Sequence, residues 1–369
     1  MTERAGGVAV QTAHAGSGGG EGNRRRLTPP PRLRRPLAFV AALVIALAVM
    51  AVLFAVLGAD PVKALRAMAT GAFGTPYALN QTLQVASVLT MVAIAALIPF
   101  RAGVMNVGGE GQLAAGATAA TVVVFTVGGG GGGLGVVLLA VAAAMIGAAV
   151  WAGLTGVLRA ALGANEVIVG LMLNFLGALL AEWVIAGPWA DTLAPQTRAF
   201  DEGTDLPQIP LLGGEFATAL LVALAVSGLA WVLLDRSRFG FAVRVLGGNA
   251  DAGLRAGISM RRMTVAVMLV GGAAAGLAAS VQVFTVNHAL IQNPAQGYGY
   301  TGIAVALLAG LRPRLVPLAA VLFAALTVGA NSLPAVTGVS TSASLIVQGV
   351  FVICLIATGA ITVRSRGAS

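Results

Sequence analysis

Between residues 37 and 363 the chain repeats one pattern, an apolar run of helical length followed by a short polar or glycine-rich connection. A bilayer core of about 30 Å is crossed by about 20 helical residues. Runs that satisfy this lie near 37–58, 79–98, 104–127, 134–157, 166–186, 217–235, 263–285, 315–333 and 343–363. One more, at 299–311, is too short to cross alone and starts beside the irregular GYGY of residues 297–300. It predicts a half-helix joined to unwound backbone, which a membrane tolerates only where protein or a watery cavity surrounds it. The expected fold is all-α: a polytopic transmembrane bundle of about ten spans with one or more broken helices. Only 9% of residues are charged, against about 25% in a soluble domain, so a water-exposed globule of this size is excluded.

Charge placement predicts the topology. Lys and Arg accumulate in loops on the cytoplasmic side. With both termini placed inside, the ten-span arrangement puts Arg101, Arg159, Arg312, Arg314, the arginines of both tails and those between Arg236 and Arg262 on that side. Lys63, Arg66 and Arg198 alone fall outside. The net charge of +9 is thereby explained by orientation, and no nucleic-acid partner is expected. Residues 1–36 are rich in Gly, Ser, Pro and Arg, a composition that cannot bury enough apolar surface to fold. They read as a disordered basic cytoplasmic tail, and 364–369 as a second short tail. The first apolar run starts too late and continues too long for a signal peptide, so it reads as a retained span. The membrane domain is 37–363.

Two connections are large enough to carry function. The loop 187–216 holds five acidic residues and four prolines and reads as an ordered outer cap or a docking surface. The inner loop 236–262, RSRFGFAVRVLGGNADAGLRAGISMRR, mixes apolar, small and basic residues at helical spacing. It suits a short helix seated on a partner protein, or one lying in the lipid headgroups.

Enzyme chemistry finds little material. The single lysine, Lys63, follows ADPV, so a GxxxxGK[ST] phosphate cradle is impossible. His14 and His288 cannot build an HExxH metal site, and Cys354 alone offers neither a disulfide nor a thiolate cluster. No cofactor is expected on this chain, and no metal.

What remains is polar residues at membrane depth. Glu110, about one and a half turns into the third run, sits in FRAGVMNVGGEGQLAAG with Asn106 and Gln112. A carboxylate at a helix centre costs roughly 2.5–3.5 kcal/mol on insertion scales. Glu110 reads either as an interfacial acid favoured by a helix N-terminus or as part of a packed elbow, since the adjoining glycines permit close helix approach. In NEVIVGLMLN, Asn165 is a natural N-cap, Glu166 complements the helix start, and Asn174 lies deep enough to need a partner or a pathway. Asn80, Gln81 and Gln84 share a face of the second run, and Asn287, Gln292, Asn293, Gln296, Tyr298 and Tyr300 crowd another turn. Amides and tyrosines suit a neutral, polyhydroxylated or heterocyclic solute, and an ordinary wet loop is the alternative. The candidate translocation residues are Gln84, Asn106, Glu110, Gln112, Asn174, Tyr298 and Tyr300.

Taken in order, NVGGEGQ, NEVIVGLMLN, RFGFAVRVLGGNADAGLRAGI and GYGYTGIAVALLAG resemble the membrane permeases of bacterial ABC importers of the simple-sugar and nucleoside type, within the branched-chain amino acid, ribose and nucleoside permease superfamily. The resemblance spans about 37–363. It implies a multi-pass inner-membrane subunit forming the path for a nucleoside or simple sugar. It also implies ATP use by a separate ABC ATPase, a second and nonidentical permease, and an extracytoplasmic binding protein facing the outer loop. Gly248, Asn249, Asp251, Ala252, Gly253 and Gly257 fall on the family's coupling motif, which would seat in the ATPase. Val107 and Gly109 depart from the NIGxEGQ common among relatives, and Gly109 would loosen the elbow. The competing reading is an ion-coupled secondary carrier of a similar solute, against which stands the shortage of membrane charge pairs.

Overall fold

The computed structural model describes residues 34–338, apart from 57, 205–207 and 212–213, and a few positions between 346 and 353. The expected run at 343–363 falls almost wholly outside them, as do most of the N-terminal tail and the last residues. Helix α1 (Arg34–Val56) is followed by α2 (Pro61–Phe73), and the part of α1 from Val44 onward makes an angle of 119° with α2. The bend passes through Gly58 at φ +78, a left-handed conformation that suits glycine. Asp60 then starts α2 by accepting from the Val62 and Lys63 amides, with Pro61 at the first helical position.

Helix α3 (Pro76–Arg101) repeats that grammar with Thr75 and Pro76. After a non-helical stretch come α4 (Gly109–Val127), α5 (Gly133–Leu162) and α6 (Glu166–Ile185), the last capped by Asn165 as its sequence predicts. Glu166 ion-pairs with Arg159 and accepts from the Met105 amide. The segment to residue 218 holds a hairpin of β1 (Gln208–Leu211) and β2 (Gly214–Ala217), paired antiparallel. Helix α7 (Ala219–Arg236) leads into α8 (Arg238–Gly248) and α9 (Ala250–Arg255), and α10 (Met260–Gln282) continues as one π-helical turn over Val283–Asn287. Helices α11 (Tyr298–Leu308), α12 (Val316–Asn331) and α13 (Leu333–Thr337) complete the described chain. Among the described residues seven helices are long and apolar enough to cross a membrane, or eight if the bent α1–α2 pair counts as one span.

Helix α3 lies at the centre. Of the most apolar stretch of each helix, 83% is buried in α3 and 67% in α4, but only 22% in α5, whose outer face is left for lipid or another chain. Close packing rests on small residues, as expected where apolar burial alone does not hold spans together. Ala140, Ala144, Ala148 and Ala152 recur every fourth residue on α5 and are all fully buried. They meet Gly272 and Gly276 of α10, where a Cβ at Gly272 would come within 2.5 Å of the Ala148 carbonyl oxygen.

The segment between α6 and α7 folds back over one end of the bundle. Its amides pair with the stretch after α10, Thr197 N–H to the Leu290 carbonyl and Phe200 N–H to that of His288. Phe125, Trp189, Phe200 and Phe284 stack in a chain with centroids 5.2 to 5.8 Å apart. The opposite end carries α8 and α9. These two ends are called below the hairpin face and the α8 face.

Candidate functional site

The third apolar run becomes helical later than its hydropathy suggests. Residues 104–107 are non-helical, and α4 begins at Gly109, so Glu110 stands in its first turn rather than deeper. The cause lies in the chain before it. Gly103 takes φ +75, and Asn106 is drawn up to α3, where its Nδ2 donates to the Ala95 carbonyl at 3.3 Å. Ala95 is six residues from the end of α3, or about 9 Å along the axis. Asn106 and Gln112 also exchange hydrogen bonds, at 2.7 and 3.2 Å, with both side chains buried. This reciprocal amide pair closes the loop as a staple, satisfying groups that would cost about 1–3 kcal/mol each if left unpaired.

The eighth expected run is broken. After the π-helical turn, 288–297 forms no regular helix, and α11 follows with only 11 residues. His288, Asn293 and Gln296 hold φ of 50 to 54 and Gly297 holds 82. Left-handed backbone is ordinary for Asn and Gly but uncommon for His and Gln, and it persists only where the surroundings impose it. Gly302 of α11 packs on Val92 of α3, nine residues or about 14 Å from the Arg101 end. The half-helix therefore starts near the middle of α3 and runs toward the α8 face, where the Leu311 carbonyl accepts from Arg101 at 2.8 Å.

Glu110 joins the two breaks. Its Oε1 accepts from the Gly299 amide at 2.6 Å and the Tyr300 amide at 3.3 Å, and Oε2 accepts from the Gly297 amide at 3.2 Å. The first-turn amides of a helix have no partner within it, and Gly297, preceding α11, has no side chain to offer. Glu110 caps α11 from another span, and its charge also suits the positive end of that helix. The approach requires glycine: a Cβ on Gly299 would collide with the Glu110 amide, and one on Gly109 would stand 3.1 Å from the Gly299 Cα.

Asn174 ties in α6. Its Oδ1 accepts from the Gly111 amide at 2.9 Å, while Nδ2 donates to the Val107 carbonyl at 3.0 Å and to the Tyr300 hydroxyl at 3.2 Å. Gly177 lies one helical step further, where a Cβ would be 2.7 Å from the Gly111 Cα. Asn106, Glu110, Gln112, Asn174 and Tyr300 thus form one connected region where α4, α6 and α11 meet. Tyr298, half-buried, packs against the core beside it. Gln84 is half-buried on α3 and takes no part in these hydrogen bonds.

Polar atoms outside the candidate translocation residues also lie inside the bundle. Thr118 Oγ1 and Gln282 Nε2 are buried without a partner among the described residues, as are Asn80 Oδ1 and Asn287 Nδ2. Gln282, 1% exposed at the end of α10, is embedded in an otherwise apolar segment and gave no signal by spacing. Such groups are costly in a dry interior and acceptable beside a wet or solute-filled path.

At the α8 face, Ser237 caps α8 by accepting from the Gly240 amide at 3.1 Å. Gly247 lies so close to the Arg101 carbonyl that a Cβ there would clash, which fixes α8 on the end of α3. Gly248 ends α8, Asn249 joins it to α9, Asp251 and Gly253 lie in α9 and Gly257 follows it, with the Gly253 amide donating to the Asn249 carbonyl at 3.1 Å. Ala252 belongs to α9, Asp251 is exposed, and Gly257 turns the chain at φ +77. Phe241 and Leu254 are more than half exposed on this surface.

Comparison with known proteins gives the family of the chain. Residues 78–356 match the family described as branched-chain amino acid transport system / permease component. The chain is 33% identical over 322 residues to the glucose ABC transporter permease protein TsgB13 of Haloferax volcanii, covering 84% of each chain. It is 31% identical over 336 residues to the guanosine ABC transporter permease protein NupP of Bacillus subtilis, covering 89% of this chain and 95% of the relative. To the nucleoside ABC transporter permease protein NupB of Lactococcus lactis it is 26% identical over 314 residues, 81% of this chain and 85% of the relative. Each of these organisms contributes a second permease that matches over less of this chain. The chain belongs to the branched-chain amino acid transport system permease family and is a multi-pass protein of the plasma membrane.

Proposed function

We propose that this chain is the permease subunit of an ATP-binding-cassette importer and forms the translocation path for a nucleoside or a simple sugar. The observation that carries the reading is α8 and α9. They are locked to the end of α3 through Gly247, and they turn Phe241, Asp251 and Leu254 outward, away from the bundle. A surface both rigidly joined to the central span and presenting apolar and charged side chains outward suits a subunit that pushes on the membrane helices. An ion-driven carrier has no use for it. In this reading ATP is bound and hydrolysed by a separate ATPase seated on α8 and α9, and no cofactor is held by this chain.

The α8 face then lies in the cytoplasm with both termini, in the ten-span arrangement that places nearly all arginines on that side. The segment 187–216 faces an extracytoplasmic binding protein. The paired permeases in the relatives' organisms support a nonidentical second permease as partner. The solute passes beside the junction of α4, α6 and α11. Gln84, Asn106, Glu110, Gln112, Asn174, Tyr298 and Tyr300 line or hold that path. The relatives are named for glucose, guanosine and nucleosides, and amides with tyrosines suit both classes of solute.

The test is a pull-down of the full-length chain from detergent-solubilised membranes. Recovery of an ABC-type ATPase together with a second permease is the expected result, followed by uptake of labelled guanosine or glucose in vesicles holding the complex. A chain recovered stable but alone, with uptake that collapses with the ion gradient, would overturn the proposal in favour of secondary transport.

A further inference from the structure

At the α8 face a cleft of about 460 Å³ opens between the ends of α3 and α7 and the turn that begins α12. Arg101, Arg236, Arg312 and Arg314 line it with one carboxylate, Asp235. Arg101 uses that carboxylate at 2.7 Å. Arg236, Arg312 and Arg314 form no salt bridge among the described residues. Trp231 organises two of them: the Arg314 guanidinium lies 3.7 Å from the ring centroid and that of Arg236 lies 5.5 Å away. Cation–π contact holds such groups in place, but it leaves their charge unneutralised.

The cleft also has an apolar side. Leu315 lines it and is exposed, and Leu229 and Val232 of α7 and Leu318 of α12 are exposed on the helices that flank it. These belong to spans, so their surface faces hydrocarbon. A tryptophan at the edge of such a surface marks the boundary between headgroups and acyl chains. The site therefore offers an excess of guanidinium groups at headgroup level and an apolar wall directly beneath. A soluble anion would use the first and not the second. A soluble partner such as an ATPase would not extend along the lipid-facing helices.

We propose that this cleft binds the phosphate headgroup of an anionic phospholipid, with the acyl chains lying along α7 and α12. The forked guanidinium matches phosphate oxygens in geometry as well as charge, and basic pockets between spans take up anionic headgroups in this way. The lipid ties α3, α7 and α12 together at the point where α8 departs, because Arg101 both lines the cleft and belongs to the turn on which Gly247 rests.

The experiment is native mass spectrometry and thermal melting of the purified full-length chain, with phosphatidylglycerol, phosphatidylcholine or inorganic phosphate added. Phosphatidylglycerol should be retained and should raise the melting temperature, and the other two should do neither. Replacing Arg312 and Arg314 together by Gln should weaken phosphatidylglycerol retention by about thirtyfold, taking a typical contribution per arginine near a membrane surface. Arg312→Gln alone removes a side chain with no ring contact or salt bridge among the described residues and should weaken it by about fivefold. The single variant decides if the double one does not fold. Equal retention of phosphatidylglycerol and phosphatidylcholine, or unchanged retention in the variants, would overturn the proposal. Stabilisation by inorganic phosphate equal to that by the lipid would reassign the cleft to a soluble anion. Loss of a co-purifying protein with lipid retention intact would reassign it to a protein partner.

Discussion

Glu110→Gln keeps the size of the side chain and removes its charge and one acceptor. In the structure the two carboxylate oxygens accept three amides of the α11 start. A glutamine oxygen placed at Oε1 retains Gly299 and Tyr300, but its NH2 then faces the Gly297 amide, donor against donor. The loss is one charge-assisted hydrogen bond, about 1.5–3 kcal/mol, plus about 0.3–1 kcal/mol of interaction with the helix terminus. Against this stands relief from holding a carboxylate in the first turn of α4, less than the roughly 2.5–3.5 kcal/mol that insertion scales give at a helix centre. The two effects act on different equilibria. The first governs how often the α11 start lifts off α4, and the second governs the assembled bundle against its separated helices. Global melting should therefore change little, while opening of residues 297–301 should rise by about twentyfold to nearly a thousandfold. Hydrogen exchange of peptides covering those residues in nanodiscs reads the opening, and uptake in the reconstituted importer reads its consequence, which should be a loss with subunit assembly intact. Unchanged exchange would refute the capping argument. Faster exchange with wild-type uptake would leave Glu110 a structural role and remove it from the translocation machinery.

Gly177→Ala should lower the melting temperature by the equivalent of about 1–3 kcal/mol through overpacking against Gly111, whereas Gly228→Ala on α7, which meets open space, should not. Equal effects would contradict the close α4–α6 approach. Asn174→Leu leaves the Gly111 amide and the Val107 carbonyl without partners at about 1–3 kcal/mol each, so the variant should melt earlier and lose uptake; wild-type melting would mean that water replaces the amide. Asp251→Ala is exposed and should leave melting unchanged while reducing substrate-stimulated ATP hydrolysis in the complex; unchanged hydrolysis would exclude α9 from coupling.

The cap at Asn165 was legible because a helix start is a local transaction between a side chain and amides two or three residues away. Span positions were legible for a similar reason, since length and hydropathy set them one segment at a time. The short eighth run beside GYGY was also readable as a half-helix, because the apolar stretch 299–311 is too short to cross a bilayer. Where local signals competed, they failed: hydropathy alone carried the third span back to residue 104, and the true start at Gly109 was set by Asn106 reaching to Ala95 on the preceding helix.

By itself, then, the amino-acid sequence determined that this is a polytopic membrane protein with a helical inner connection, a broken eighth run and a carboxylate in a glycine-rich elbow. Only the tertiary structure decided what that carboxylate does. Glu110 and Gly297 are 187 residues apart in the chain, and nothing local specifies which unsatisfied amides an acid will find. The same holds for the arginines around Trp231, drawn from three separate connections and counted in the sequence only as topology signals. Hydrogen-bond and charge partners across a bundle are chosen by which helix ends meet, and that choice is made by the packing of Gly109, Gly177 and Gly299 against their neighbours.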